Sequence, residues 1–475
     1  MLSLPHRKSF CALFLIGVTT AIYSSAQTFT NLAVFDKTSG SNPIGNLAQG
    51  LDGNFYGTTT NVGIPASDGG VFQVTPEGVL TAFAGAGNLG STPQAGILLA
   101  TDGNFYGTTY WGGDRNACQS GCGTVFKITP SGVSTTLHSF ERNDGFNPNA
   151  GLIELNGNFY GTTLYGGGNT NCFQGCGTVF EITPTGTLTM LHAFTGADGK
   201  SPQATLVLGN DGNLYGTTYQ GGSNNRGTFF KITPAGVLTK VHSFDPADAT
   251  GPLGLVLGTD GNFYGMTASG GPQNAGTVFK ITPEGVITRL HNFVGSDGAI
   301  PAGALVQATD GNFYGATRLG GSNSCFGSGF FNACGTIFEM IPAGVVTTLH
   351  SFDGTDGERP LGGLVQATDG NLYGTTYGGG VDCGTRCGTV FKWSTGLAPF
   401  VTPLPASGHD SNTVRILGTD LTGATLVTFN GKEAKFTIVS STEIKATVPM
   451  CVKTGLIEVT TPGGKLTSNV VFTAN

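Results

Sequence analysis

The chain has 475 residues, of which 79 are glycine and 32 phenylalanine, and only 11% are charged. Ordinary globular domains carry about 25% charged residues, so this is a turn-rich chain with few surface charges and length enough for two or more domains. A formal net charge of −7, with no cluster of Lys or Arg, argues against a nucleic-acid partner, which needs a basic stripe to displace counterions.

The first residues read as a signal peptide spanning 1–26. His6, Arg7 and Lys8 precede an apolar run from Phe10 to Tyr23, and Ser24-Ser25-Ala26 come before Gln27. A basic start, a short apolar core and small residues at the cut predict export with cleavage after Ala26. The run is short of the roughly 20 residues that span a bilayer. No later stretch is apolar enough to cross one, so the protein is expected to be secreted, in the periplasm or at the cell surface.

A repeat follows. The stretch Asp102-Gly103-Asn104-Phe105-Tyr106-Gly107-Thr108-Thr109-Tyr110 has near copies starting at Asp52, Asp211, Asp260, Asp310 and Asp369, with Asn156 opening a variant. Its tyrosines (Tyr56, Tyr106, Tyr160, Tyr215, Tyr264, Tyr314 and Tyr373) are spaced by 50, 54, 55, 49, 50 and 59 residues. Such a period with strand-like content points to a propeller, because a glycine in every turn would break helical repeats.

Each of the seven units divides into four strands, a to d. In the third they are Gly151–Leu155, Asn158–Thr163, Gly177–Thr183 and Thr187–Phe194. Asp-Gly between a and b predicts a two-residue hairpin with both residues at positive φ. Thr-Pro-x-Gly between c and d predicts a second tight turn. Strand d follows only six units, and Thr30–Phe35 matches the missing one. The expected fold class is therefore all-β: a seven-bladed propeller over 28–393, closed by the N-terminal strand, with an immunoglobulin-like sandwich after it.

The segments DGNFYGTTYWGG, GCGTVFKITPSG and TTLHSF resemble the Gloeo/Verruco-type (choice-of-anchor) tandem repeat of secreted bacterial proteins, and the pattern is distantly similar to kelch. The resemblance implies architecture rather than an activity. After a linker over 394–405, residues 399–475 resemble an IPT/TIG domain. Gly418-Thr419-Asp420-Leu421, Thr428-Phe429-Asn430-Gly431, Ala446-Thr447-Val448-Pro449 and Thr460-Thr461-Pro462-Gly463-Gly464 carry that likeness. It implies a spacer or contact module, with strands at Val414–Leu417, Leu426–Phe429, Lys435–Val439, Ile444–Val448 and Leu456–Thr460.

Nine cysteines remain after the signal segment. Four pairs fall in the b–c loops of units two, three, six and seven, and in an oxidising compartment they read as disulfides Cys118–Cys122, Cys172–Cys176, Cys325–Cys334 and Cys383–Cys387. Zinc would want four ligands together, and no His lies in these loops. Cys451 is left over and reads as a small buried hydrophobe. His138, His192, His242, His291 and His350 share one position in the outermost strand, too far apart to converge on a metal ion. The Asp-Gly-x-x-Pro segments from Asp144, Asp198, Asp297 and Asp356 are inter-blade turns or, failing that, calcium loops. No metal, no cofactor and no catalytic residue is expected.

What varies within the repeat is more informative. The b–c and d–a loops are the long ones and leave the same face, and just after strand b that face carries Tyr110, Trp111, Tyr165, Tyr219, Arg318 and Tyr377. Rings with polar tips suit stacking on sugars or gripping a protein, although any one of them could instead pack between blades. The expectation is a monomeric, exported, non-catalytic binding protein for an extracellular glycan or protein. Two alternatives stand beside it: a polysaccharide-active hydrolase or lyase, and a structural envelope or adhesion component. Against an enzyme stands the lack of any unrepeated cluster of carboxylates, His or Lys.

Overall fold

The computed structural model of the chain describes residues 27–36, 39–61, 68–85, 89–116, 118–323, 325, 333–381 and 387–475. The expected signal peptide lies outside them. The described residues form strands, turns and loops only, and none of them forms a helix long and apolar enough to cross a membrane.

From Thr28 to Ser394 the described strands make seven antiparallel sheets. The third unit shows the plan: Ile153–Leu155, Asn158–Thr163, Thr178–Ile182 and Leu188–Ala193, in that order. Burial explains the composition. Strands b and c lie between neighbouring sheets, so the Phe105–Thr109 strand is buried throughout, whereas the Ser134–Ser139 strand is half-exposed. The mid-strand glycine makes room for an aromatic ring: a Cβ on Gly107 would meet Phe126, its partner on strand c, at 2.6 Å. Strand a varies in length, from two residues in the second, fourth and seventh units to eight and nine in the fifth and sixth. In the first unit it splits into Ser41–Pro43 and Ala48–Gln49, which both pair with Phe55–Asn61.

The a–b turn departs from expectation. Only Asn156-Gly157 puts both residues at positive φ (54° and 81°), closing Leu155 onto Asn158. In the other six units only the glycine does. There the loop is wider, as in Ala100, whose N–H donates to Asn104 O and whose carbonyl accepts from Gly103 N. The aspartate stays right-handed because its carboxylate holds the backbone N–H of the asparagine two residues on, as Asp102 does for Asn104 at 2.9 Å.

Three contacts join successive sheets, and each recurs between the seventh and the first. Where strand b of the next unit carries phenylalanine, the tyrosine of the preceding unit lies against it: Tyr106 on Phe159 at 3.9 Å between centroids, Tyr373 on Phe55 at 4.1 Å; the fourth and seventh units have Leu214 and Leu372 there. The glycine opening strand c abuts the next unit's proline, so a Cβ would come within 2.6 Å of Pro148 at Gly123 and within 2.8 Å of Pro43 at Gly388. The N–H of the residue before that proline donates to the preceding unit: Asn147 to Cys122 O at 2.8 Å, Asn42 to Cys387 O at 2.9 Å. The seventh sheet takes Thr28–Val34 as its fourth strand, antiparallel to Thr389–Ser394.

The C-terminal part packs two four-stranded sheets on one core. Thr402–Leu404, Thr413–Leu417, Glu443–Thr447 and Phe436–Ile438 form one; Lys432–Glu433, Leu426–Phe429, Ile457–Thr461 and Gly464–Thr467 form the other. Val414, Ile416, Val427, Phe429, Ile444 and Val459 interleave between them. All five strands expected here are present, Leu426–Phe429 as expected and the others with ends moved by one residue. This part sits on the tight-turn face of the repeats. Thr442 Oγ1 donates to Leu51 O (2.7 Å), Phe400 N to Thr368 O (2.9 Å), and Thr368 and Thr419 hydroxyls meet at 2.8 Å.

Among the described residues three disulfides are formed: Cys118–Cys122, Cys172–Cys176 and Cys325–Cys334. Cys383 lies outside the described residues, and with it the fourth expected pairing. Cys451 is exposed, which overturns the reading of a buried hydrophobe. It occupies a surface turn at φ 52°, its N–H held by Asp410 at 2.8 Å, so its thiol is not among the core side chains.

Candidate functional site on the long-loop face

The repeated carboxylates are committed to structure. Asp102 accepts from the Asn104 amide nitrogen and, at 2.8 Å, from the Tyr106 hydroxyl. The same triangle forms at Asp52, Asp211, Asp260, Asp310 and Asp369. Burial, and then the neighbouring Asp102, push the Tyr106 phenol far above its ordinary range. Burial alone would raise Asp102, but bonds from Asn104 and Tyr106 and the Lys127 charge outweigh it and hold the carboxyl low.

The histidines are committed in the same way. His138, His192, His242, His291 and His350 each place Nε2 within 3.0 Å of an aspartate six residues on: Asp144, Asp198, Asp248, Asp297 and Asp356. Each of these aspartates also holds the backbone N–H three residues before it, as Asp198 does for Thr195 at 2.8 Å. The Asp-Gly-x-x-Pro loops are thus shaped by a His–Asp pair. Among the described residues there is no group of three or more His, Cys, Asp or Glu placed to hold a metal.

On the other face the d–a and b–c loops run side by side, bridged at Ser91 with Trp111, Phe146 with Tyr165, Lys200 with Gln220 and Glu358 with Gly378. Here the structure gathers part of the expected arc. Tyr110 and Trp111 meet edge to face at 4.9 Å, and Trp111 is 37% exposed. Burial, and then Tyr165 from the third unit, raise the Tyr110 phenol above its ordinary value, so it stays a neutral donor and acceptor. Tyr165 tilts against the buried Phe146, over whose ring Arg142 sits at 5.6 Å. The others stand on different units. Tyr219 is half-buried against Gly251, Arg318 is exposed, and Tyr377 is half-buried, its carbonyl held by Asn42 Nδ2 at 2.9 Å.

Sequence reasoning missed Phe173, which is 90% exposed inside the Cys172–Cys176 loop. The loop is closed by Gly175 N donating to Cys172 O and Gly166 N to Gln174 O. A large apolar residue among the three enclosed by a disulfide has no core within reach, and that was the available signal.

Residues 16–173 and 115–328 match the model of the Gloeobacter/Verrucomicrobia repeat, together more than half of the chain. The chain belongs to this repeat family. Its fold is similar to that of virginiamycin B lyase from Staphylococcus aureus (TM-score 0.51, 16% identity), the alignment covering 78% of this chain and 99% of that one. It is also similar to a fungal alcohol oxidase of the AA5 family, in complex with copper (TM-score 0.52, 12% identity), covering 94% and 98%. At these identities the likeness speaks for a propeller-like all-β fold in this member of the repeat family, not for an activity. No curated protein matches it.

Proposed function

We propose that this repeat protein is a secreted, non-catalytic binding protein that grips an extracellular glycan on its long-loop face. The architecture proposed with it is a seven-bladed propeller over 28–393, closed by the N-terminal strand, followed by a linker over 394–405 and an IPT/TIG-type sandwich over 399–475. The contacts repeated from the seventh unit to the first support the ring. Export through residues 1–26 is supported by the disulfides, which persist in oxidising compartments.

One observation carries the binding reading. Tyr110 and Trp111 meet edge to face, and Asn147 ties the backbone of Tyr110 to that of Leu164, next to Tyr165, beside two loops pinned by Cys118–Cys122 and Cys172–Cys176. They do so on the face opposite the one the C-terminal sheets cover. A flat ring with polar neighbours, held on a rigid loop, binds with little loss of conformational entropy. The recurrent Asp and His side chains, spent on Tyr–Asp and His–Asp pairs, are poorly placed for acid–base work, which weighs against the hydrolase or lyase reading.

A glycan panel probed with the full chain and with Trp111→Ala tests this. Binding that weakens about ten-fold or more in the variant, at unchanged melting temperature, is the expected result. Binding indifferent to Trp111 sinks the arc. A protein partner is the second reading, favoured by Phe173. In that case Phe173→Ser abolishes capture of an envelope protein while the glycan panel stays blank.

A further inference from the structure

The tight-turn face carries a groove between successive units, and the molecule itself shows what one of them takes. Between the first and second units the groove is lined by Leu51, Asp52, Tyr56, Gly103, Phe105 and Pro130. Into it comes Arg415 of the C-terminal part, its guanidinium lying against Gly103 while its Nε stays 3.3 Å from Glu443. Gly103 admits it because a Cβ there would strike the Arg415 nitrogen.

Between the fourth and fifth units the same five repeat positions recur as Asp211, Tyr215, Gly261, Phe263 and Pro283, around an open cavity of about 590 Å³. No residue of the C-terminal part lines it. Two further differences bear on its chemistry. Glu284 lines this groove at the repeat position of Ser131, which does not line the other; it is exposed, with no hydrogen bond or ion pair among the described residues. Lys231 stands in place of Gln73, in a loose 3.7 Å pair with Asp211. A second lysine, Lys240, also lines the cavity, its Nζ engaged by Ala197 O at 3.0 Å.

We infer that the groove between the fourth and fifth units is a docking site for an arginine side chain carried by a partner protein. The glycine floor accepts the flat guanidinium as it does that of Arg415. The Glu284 carboxylate offers the two-oxygen fork that a guanidinium pairs with and an ammonium does not. Lys231 holds Asp211 only through an exposed 3.7 Å pair, which an incoming guanidinium displaces at little cost. The site lies on the opposite face from the aromatic arc and does not depend on it.

The test titrates the full chain with the peptides Gly-Arg-Gly and Gly-Lys-Gly, both capped, with heteronuclear NMR as the readout. The arginine peptide should bind and shift Asn210, Asp211 and Gly261 amides, while the lysine peptide should bind about ten-fold more weakly. Glu284→Gln should weaken the arginine peptide about ten-fold. Thr239→Trp, on the exposed groove wall, should block it at unchanged melting temperature, and Trp111→Ala should leave it untouched. Equal binding of the two peptides, shifts confined to other units, or indifference to Glu284→Gln would each overturn the inference.

Discussion

At the scale of single residues, the repeat writes a hydrogen-bond triangle, and its exceptions prove informative. In the third unit Asn156 replaces the turn aspartate, and the missing carboxylate comes instead from strand c. Glu181 accepts from Asn158 Nδ2 (2.7 Å) and from the Tyr160 hydroxyl (3.0 Å). In the sixth unit Asp310 and Glu339 both serve Tyr314. Glu181→Gln should therefore cost about 1–3 kcal/mol, and Glu339→Gln less than half of that. Chemical denaturation of the two variants checks the order, and equal losses would contradict it. Asp198, paired with His192, carries a pH dependence. Burial would raise the Asp198 carboxyl, but bonds from His192 and Thr195 outweigh it and hold it at about 2. A lowered carboxylate stabilises above its unfolded value and loses that contribution as pH falls through its folded one. The melting temperature should drop between about pH 4 and pH 2, and Asp198→Asn should flatten part of that drop.

At the scale of elements, the N-terminal strand completes the seventh sheet and ties it to the sixth. Thr28–Val34 supplies the outer strand of the last sheet, and Phe29 within it stacks on His350 of the sixth unit at 3.9 Å and 5°. Deleting residues 28–35 should lower the melting temperature by about 10 °C; an unchanged melt would mean the seventh sheet holds without it. The pairing of Thr28–Phe35 with the last unit was readable from counting strands and matching Thr30–Phe35 to the other outer strands. The a–b turn was not, because Asp-Gly reads as a two-residue hairpin until the side chain's own bonds are seen. Those bonds run to an asparagine and a tyrosine, and they select the wider loop.

At the scale of the whole molecule, the C-terminal sheets hold the tight-turn face at the seventh, first and second units through Thr419, Thr442 and Arg415. That leaves the long-loop face clear. Thr442→Ala combined with Arg415→Glu removes a buried-edge hydrogen bond and sets a carboxylate against Gly103 and Asp52. Calorimetry of the double variant should resolve two melting transitions where the parent shows one, and a single unshifted transition would show the two parts are not coupled there. No feature of the sequence assigned these contacts, since Arg415 and Thr442 look like ordinary strand and turn residues.

The sequence by itself determined the strands, their grouping into seven sheets and the disulfide loops, because these depend on local turn chemistry and a two-residue period that a repeat states seven times over. The tertiary structure alone decided which varied residues meet. Tyr110 and Trp111 meet edge to face, and the adjacent third unit brings the loop of Tyr165 beside theirs, while Tyr219, Arg318 and Tyr377 lie on the fourth, sixth and seventh units. It also decided that Phe173 points outward, that Cys451 is exposed and that the groove at Glu284 stays open. Each of these turns on packing between segments far apart in the chain, where no local pattern reaches.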